Sequence, residues 1–301
     1  MDCDASGSRQ QKQLEKVAKE TLRVLPGYLE KLNATTAAYT SHKFTLESLH
    51  RLNPNICPSY PQPAVIRVIN GDTLNVAIEL SQWAKYNGPD LRLINPHVAL
   101  INCANRHSPG GGWLNGRMAQ EEALCYRSSL ALSLNPGHYP FSGHDALYSP
   151  YVLGMRDDVD SGHRLMAPNI PTNYLPVVSV LTVAALCYPK IHTFKQVADD
   201  KGLLRDVRVF VRDEDRTITK NKMRLVLRMA ASHGHRLLVL GAFGCGVYEN
   251  PPEDVAHCWL EVLREYEFSG NWWRAVWFAV HDPKNTGTYN IFDRVLSGQG
   301  V

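Results

Sequence analysis

The chain lacks the features that would place it in a membrane, a secretory route or a disulfide scaffold. Its opening, Met1-Asp-Cys-Asp-Ala-Ser-Gly-Ser8, has neither the basic n-region nor the apolar core of a signal peptide. No uninterrupted apolar run approaches the roughly 20 residues of a bilayer-spanning helix. The 7 cysteines are odd in number and scattered, with no C-x-x-C pair. That excludes a disulfide framework and offers no zinc site, so reduced thiols in a cytoplasmic or nuclear setting are expected. The 12 histidines show no ligand spacing either; His233 and His235 read as a helix exit. Excess charge is also missing. A net charge of +3 is too small to point by itself to a nucleic-acid partner. No metal, no cofactor, no membrane and no obligate nucleic acid are expected, and the chain is expected to act as a monomer.

What is present is an ordinary globular balance, 44% hydrophobic and 20% charged, with enough apolar surface for a substantial core. Residues 9–32 carry Leu14, Val17, Ala18, Leu22 and Leu25 at helical spacing, and Pro26-Gly27 is expected to break that helix. Four prolines between 53 and 63 read as a rigid connector. Strand and helix signals then alternate. Strands are expected at 65–69, 97–102, 177–184, 237–240 and 275–280. Helices are expected from Asp72 or Thr73 to Lys85, from Glu122 to near Asn135, at 217–232 and at 252–266. Residues 147–168 read as an exposed hairpin with its tip at 157–162. Alternating βα units imply a three-layer α/β/α sandwich around a central sheet. The expected organisation is an N-terminal helical extension with its connector, 1–63, packed on a catalytic core, 64–301. There is no internal repeat and no second domain.

Two glycine-rich segments carry the chemistry. In the first, Gly110-Gly-Gly112 is followed, after seven residues, by Gln120-Glu-Glu122 at the mouth of a helix. Glycines tolerate positive φ and close approach, so bare N–H groups can meet phosphate oxygens. The carboxylates stand one loop away, placed to protonate a glycosidic bond beside that phosphate. Adjacent helical residues point roughly 100° apart, so Glu121 and Glu122 cannot act face to face and must divide the work. A first-turn carboxylate is held in its charged form by the helix dipole, whereas a bound diphosphate favours the protonated acid. In the second segment, Gly241-Ala-Phe-Gly-Cys-Gly-Val-Tyr248 lies between a buried strand and a helix, the arrangement with which α/β folds bind phosphate. Gly110, Gly111 and Gly112, together with Gly244, Cys245, Gly246 and Val247, are therefore assigned to a diphosphate held from both sides.

The same blocks resemble the microbial-type poly(ADP-ribose) glycohydrolase family. Asn102-Cys-Ala-Asn105, the triple glycine, Ala119-Gln-Glu-Glu-Ala-Leu124, Ser128-Ser-Leu130, Leu147-Tyr-Ser-Pro150, Leu238 to Pro252 and Val276 to Val280 carry the likeness, over about 10–282. The resemblance implies a macrodomain-like fold with a mixed sheet. It also implies hydrolysis of the ribose–ribose O-glycosidic bond of poly(ADP-ribose) on modified proteins, releasing ADP-ribose. Carried over, Glu122 is the catalytic acid and base and Glu121 holds ribose hydroxyls. Asn105 contacts the terminal ribose, Gln120 positions the sugar or neighbouring backbone, and Tyr248 packs on the distal ribose. Tyr248-Glu249 departs from the family's Phe-Gly at that place. An Asp after the first core strand often contacts adenine in macrodomains, but helix capping explains Asp72 equally well. Two alternatives remain open: release of a single ADP-ribose from a modified protein, nucleic acid or metabolite, and an ADP-ribose-binding module without catalysis. Retention of both acids opposes the second.

Overall fold

The computed structural model describes residues 2–198, 202 and 204–301, with side chains described from residue 9 onward. In chain order the elements are α1 (Asp2–Lys31), α2 (Thr35–Tyr39), β1 (His42–Thr45), β2 (Arg67–Ile69), α3 (Thr73–Tyr86) and β3 (Ala99–Cys103). There follow α4 (Gln120–Arg127), α5 (Leu130–Ser133), β4 (Asp145–Leu153), β5 (Val177–Val183), β6 (Ile191–Ala198) and β7 (Leu204–Phe210). The chain ends with α6 (Asp213–Ser232), β8 (Leu237–Gly241), α7 (Pro252–Leu263), β9 (Ala275–Ala279) and α8 (Thr288–Leu296). Seven strands form one sheet in the order β1-β4-β5-β3-β8-β9-β2. From β5 to β2 all neighbours are parallel, and β4 runs antiparallel to both β5 and β1. The sheet is mixed, as the resemblance implied.

The central strands are apolar on both faces, and alternation sorts their side chains into two cores. Leu238, Leu240, Val276 and Phe278 pack with α6, α7 and α8 through Met223, Val255, Trp259 and Phe292. Leu237, Val239, Ala275 and Trp277 pack on the other side with Leu74, Ala77 and Leu80 of α3 and with Leu14, Val17 and Ala18 of α1. This is the expected three-layer sandwich, with α1 added to one outer layer. Polar contacts fix that helix as well: Thr21 Oγ1 donates to the Tyr126 carbonyl (2.9 Å), and the buried Arg156 donates to Thr21 (2.9 Å) and Glu20 (2.9 Å).

Several local expectations are corrected. Pro26 does not end α1, which runs through to Lys31; Leu25 and Leu29, each 1% exposed, hold the last turns in place. Helix α4 stops at Arg127. Ser128 bridges Gly154, and the freed Arg127 carbonyl accepts N–H groups from Met155 and Arg156. Of the expected exposed hairpin at 147–168, residues 147–153 belong to β4, a largely buried strand of the main sheet, and the expected tip at 157–162 lies in a turn closed by the antiparallel Arg156–Leu165 bridge. Pro150 fits inside β4 because the register shifts between Ser149 and Val152. Strand β1 comes from the segment read as an extension, yet it closes one edge of the sheet. The β6–β7 hairpin, a separate two-stranded sheet, was not foreseen. Cys3 lies outside the described side chains, and the other cysteines are free thiols. Among the described residues no helix is long and apolar enough to cross a membrane.

Candidate active site

Because β3 and β8 are adjacent and parallel, the loops that leave their C-terminal ends emerge side by side. This is where open α/β sheets bind ligands. The first loop joins β3 to α4, and the second joins β8 to α7.

The first loop is organised around the two carboxylates. Asn105 Oδ1 accepts the N–H groups of His107 (2.8 Å) and Ser108 (3.0 Å), a tight Asx turn. The Asn105 N–H itself donates to Glu121 Oε2 at 2.7 Å. Asn102 Nδ2 donates to Glu121 Oε1 at 3.2 Å and to Thr182 Oγ1 at 3.3 Å. Glu122 Oε1 accepts the Gly112 N–H at 2.9 Å. Gly111 takes φ +59°, and a Cβ there would lie 2.3 Å from Glu122 Oε1 and 3.3 Å from Glu121 Oε2. Only a glycine lets the backbone pass this close to both acids.

That geometry revises the reading of the triple glycine. The Gly111 N–H bonds the Ser108 carbonyl (2.9 Å), the Gly112 N–H bonds Glu122, and the Gly110 N–H faces the Glu121 carboxylate. These N–H groups are occupied inside the protein, so the glycines shape a seat for the acids more directly than a cradle for phosphate. Gln120 turns to the neighbouring sheet. Its amide is committed to the end of β3, with Oε1 accepting from Cys103 N–H (2.8 Å) and Nε2 donating to Ile101 O (2.7 Å) and Thr73 Oγ1 (3.2 Å). It therefore fixes the start of α4 to the sheet and positions the two glutamates that follow.

The acids differ in environment. Glu121 is 2% exposed, and burial raises its pKa from the usual 4.5 to about 8, against the pull of the Asn105 N–H and the Asn102 amide. Glu122 is 9% exposed, and its Oε2 has no hydrogen-bond partner among the described residues. A carboxyl whose folded pKa lies above its unfolded one binds its proton more tightly in the folded state. Its contribution is complete below about pH 4.5 and is lost as the pH rises towards 8, at up to about 1.4 kcal/mol per pH unit. Glu121→Gln removes this titration. The melting temperature of the wild type should therefore fall relative to that of the variant between pH 5 and pH 8. Parallel Tm–pH curves for the two proteins would show that Glu121 does not titrate in this window.

The second loop is held by Asn250, 1% exposed, whose Nδ2 donates to Leu186 O (2.7 Å), Gly244 O (3.1 Å) and Tyr248 O (3.3 Å). Gly244 at φ +75° has no room for a side chain, since a Cβ would lie 2.5 Å from Asn250 Nδ2 and 2.6 Å from Ala185 Cβ. The Cys245 N–H is used within the loop, bonding Ala242 O at 3.0 Å, so Cys245 drops out of the expected phosphate donors. The Gly244 N–H faces the Cys103 thiol, and the N–H groups of Gly246, Val247 and Tyr248 have no partner among the described residues. Tyr248 is half-buried and spans the two loops: its hydroxyl meets the Arg106 backbone, and burial raises its pKa. Asp72 caps α3, accepting from Leu74 N–H (2.8 Å) and Asn75 N–H (3.1 Å), and pairs with the buried Arg127. The capping reading of Asp72 is the one realised.

Asn102 and Asn250 are site-shaping residues that the sequence reading did not assign. Asn102 stood within the quoted Asn102-Cys-Ala-Asn105 block, and Asn250 precedes the double proline that opens α7. Among the described residues, no group of three His, Cys, Asp or Glu side chains is placed to hold a metal ion.

The family model of the microbial-type poly(ADP-ribose) glycohydrolase catalytic domain matches residues 10–157, which include α1, the first glycine loop and both acids. Over that stretch the chain matches this glycohydrolase family. Among solved structures it is similar to poly(ADP-ribose) glycohydrolase from Thermomonospora curvata, at 26% identity and TM-score 0.69, over 95% of this chain and 100% of that one. The same enzyme bound to the inhibitor ADP-HPD matches with TM-score 0.67 at 26% identity, over 94% and 99% of the two chains. Poly(ADP-ribose) glycohydrolase from Deinococcus radiodurans in complex with ADP-ribose matches with TM-score 0.62 at 27% identity, over 87% and 96%. No curated protein sequence matches the chain. The glycohydrolase fold therefore extends over the whole sandwich and is not confined to the half that the family model covers.

Proposed function

We propose that the protein hydrolyses the ribose–ribose O-glycosidic bond of poly(ADP-ribose) and releases ADP-ribose. The observation that carries this reading is the pair of carboxylates seated in the first glycine loop, with one Glu122 oxygen fixed by Gly112 and the other uncommitted. The match to the family model and the likeness to glycohydrolases solved with ADP-ribose and ADP-HPD support it. A module that only bound ADP-ribose would have no use for two buried acids, whose desolvation is costly.

In this mechanism the diphosphate lies on the free N–H groups of the second loop, and Tyr248 packs against the distal ribose. Glu121, pinned by Asn102 and Asn105, holds ribose hydroxyls, and Asn105 lends its uncommitted Nδ2 to the terminal ribose. Glu122 donates a proton to the leaving ribose oxygen as the glycosidic C–O bond breaks, which leaves an oxocarbenium-like ribose. The resulting Glu122 carboxylate takes a proton from water as the new C–O bond forms, and the acid is restored. The bound diphosphate favours the protonated form of Glu122. The protein acts on chains attached to modified proteins, as a monomer.

The test is turnover of purified protein on defined polymer and on singly ADP-ribosylated substrates. Release of ADP-ribose from polymer is expected. Release from the single modification alone would move the substrate assignment to that alternative. Both reacting protons are handled by Glu122 in this scheme, so hydrolysis should also persist in the presence of a chelator. A strict requirement for Mg2+ would point to a different hydrolase chemistry.

A further inference from the structure

The β6–β7 hairpin belongs neither to the central sheet nor to the site as built above, yet its base is tied to the second loop. Tyr188, just before β6, donates its N–H to the Tyr248 carbonyl at 3.1 Å. At the other end the Phe210 N–H donates to Asp254 Oδ2, in the first turn of α7, at 2.9 Å. The register pairs Ile191 with Phe210 and Thr193 with Arg208. Arg208 therefore shares a face with Phe210, which is 8% exposed and packed into the core cluster beneath α7. Phe210 anchors that face at the base of the hairpin, and the Arg208 guanidinium acts electrostatically on the Cys245 thiol in the second loop.

Arg208 differs from two neighbouring cations of this segment. Lys195 is paired with Asp206 at 2.6 Å and Arg212 with Asp215 at 2.5 Å. Arg208 is exposed and has no carboxylate partner among the described residues. Charge balance reinforces the point. From Tyr188 to Arg212 the sequence holds six lysines and arginines against three aspartates, an excess equal to the +3 of the whole chain. This positive surplus belongs to the stretch of sequence that carries the hairpin, whose base joins a loop of unoccupied N–H groups.

We propose that Arg208 is a binding residue for the substrate diphosphate, reaching over the second loop from the hairpin to pair with a phosphate oxygen that the loop's N–H groups also hold. The inference rests on reading that loop as the phosphate cradle. The guanidinium supplies a full charge and a planar fork that match a phosphate. Backbone N–H groups supply only partial charges. Because the diphosphate keeps its charge throughout the reaction, the pairing serves the ground state and the transition state equally. It should therefore appear in affinity and KM and leave kcat alone.

The experiment is calorimetric titration of ADP-ribose into wild type, Arg208→Gln, Arg208→Lys and Lys195→Gln at low and at physiological salt, with thermal melts to confirm folding. Arg208→Gln should weaken ADP-ribose by about tenfold, a loss in the range for a charge-assisted hydrogen bond, and should flatten its salt dependence. Arg208→Lys should recover most of the affinity. Lys195→Gln, which removes the same charge from the same hairpin, should bind as wild type does. In turnover assays Arg208→Gln should raise KM with kcat within about twofold of wild type. Unchanged ADP-ribose affinity in Arg208→Gln overturns the proposal, even if the affinity for long polymer falls. An equal loss in Lys195→Gln also overturns it, since that would be the hairpin's general field and not a contact. Wild type that binds no ADP-ribose at either salt would instead remove the cradle reading itself, a failure distinct from that of Arg208.

Discussion

Glu122→Gln is expected to lower turnover by at least roughly 10²-fold, and by up to roughly 10⁴-fold, the span that general acid–base catalysis contributes. The amide has nearly the shape of the carboxyl, and its Oε1 can still accept the Gly112 N–H that Glu122 accepts at 2.9 Å. Loop and fold should survive, with ADP-ribose affinity within a few-fold of wild type. The amide cannot release a proton to the leaving oxygen or take one from water, so the loss falls on kcat. Glu121→Gln should also impair turnover, but through the sugar, and weaker substrate binding should accompany it. The roles would be reversed if Glu122→Gln kept near-normal turnover while Glu121→Gln abolished it without loss of affinity. This comparison decides between the two acids, because Glu121 is the one whose pKa burial brings to about 8, close to the range a catalytic acid needs.

Gly111→Ala carries the second large effect. Its new methyl group would start 2.3 Å from Glu122 Oε1, so either the carboxylate or the loop must move. Alanine at φ +59° also costs about 1–2 kcal/mol of backbone strain. Turnover should fall by roughly 10²-fold or more through displacement of the acid, with a lower Tm. ADP-ribose affinity should fall much less, because the unoccupied N–H groups lie on the other loop. The matching change in that loop, Gly244→Ala, should show the opposite balance, since it forces Asn250 and Ala185 apart and distorts the cradle. If Gly111→Ala instead lost ADP-ribose while keeping kcat at saturation, the first loop would regain its reading as the phosphate seat.

Much of the sandwich was legible because its central strands and helices are long enough to show their period. The runs ending at Gly241 and Ala279 are continuously apolar, that ending at Val183 is largely so, and α6 carries Leu225, Val226 and Met229 on one face. The edges were not legible, for local reasons. Four residues, His42–Thr45, are too few for alternation to register. Pro150 disguised β4, since a proline normally argues against an interior strand unless a bulge receives it. In α1, Pro26-Gly27 signalled a stop that burial of Leu25 and Leu29 overrode. At the site, residue identity pointed to both glycine loops and to the acids, but the direction of each N–H was beyond its reach. That direction depends on which carbonyl or carboxylate lies within hydrogen-bond reach, and Asn102 meets Glu121, and Asn250 meets Leu186, only in three dimensions. Gln120 shows the same limit: spacing put it beside the acids, and only the fold committed its amide to β3.

Gly116 draws a line between distant parts of the chain. At φ +68° it sits so close to α1 that a Cβ would lie 2.3 Å from the Gln11 carbonyl, and Gln11 Nε2 donates to the Asn115 carbonyl at 3.0 Å. The stretch from Trp113 to Arg117 that links the glycines to the acids therefore leans on a wall built about a hundred positions earlier. A protease nick within α1, or a fused partner that pries the helix outward, would loosen the acids' footing while leaving every reacting atom in the polypeptide. Such damage would show first as a fall in turnover under conditions where the sandwich still melts as one cooperative unit.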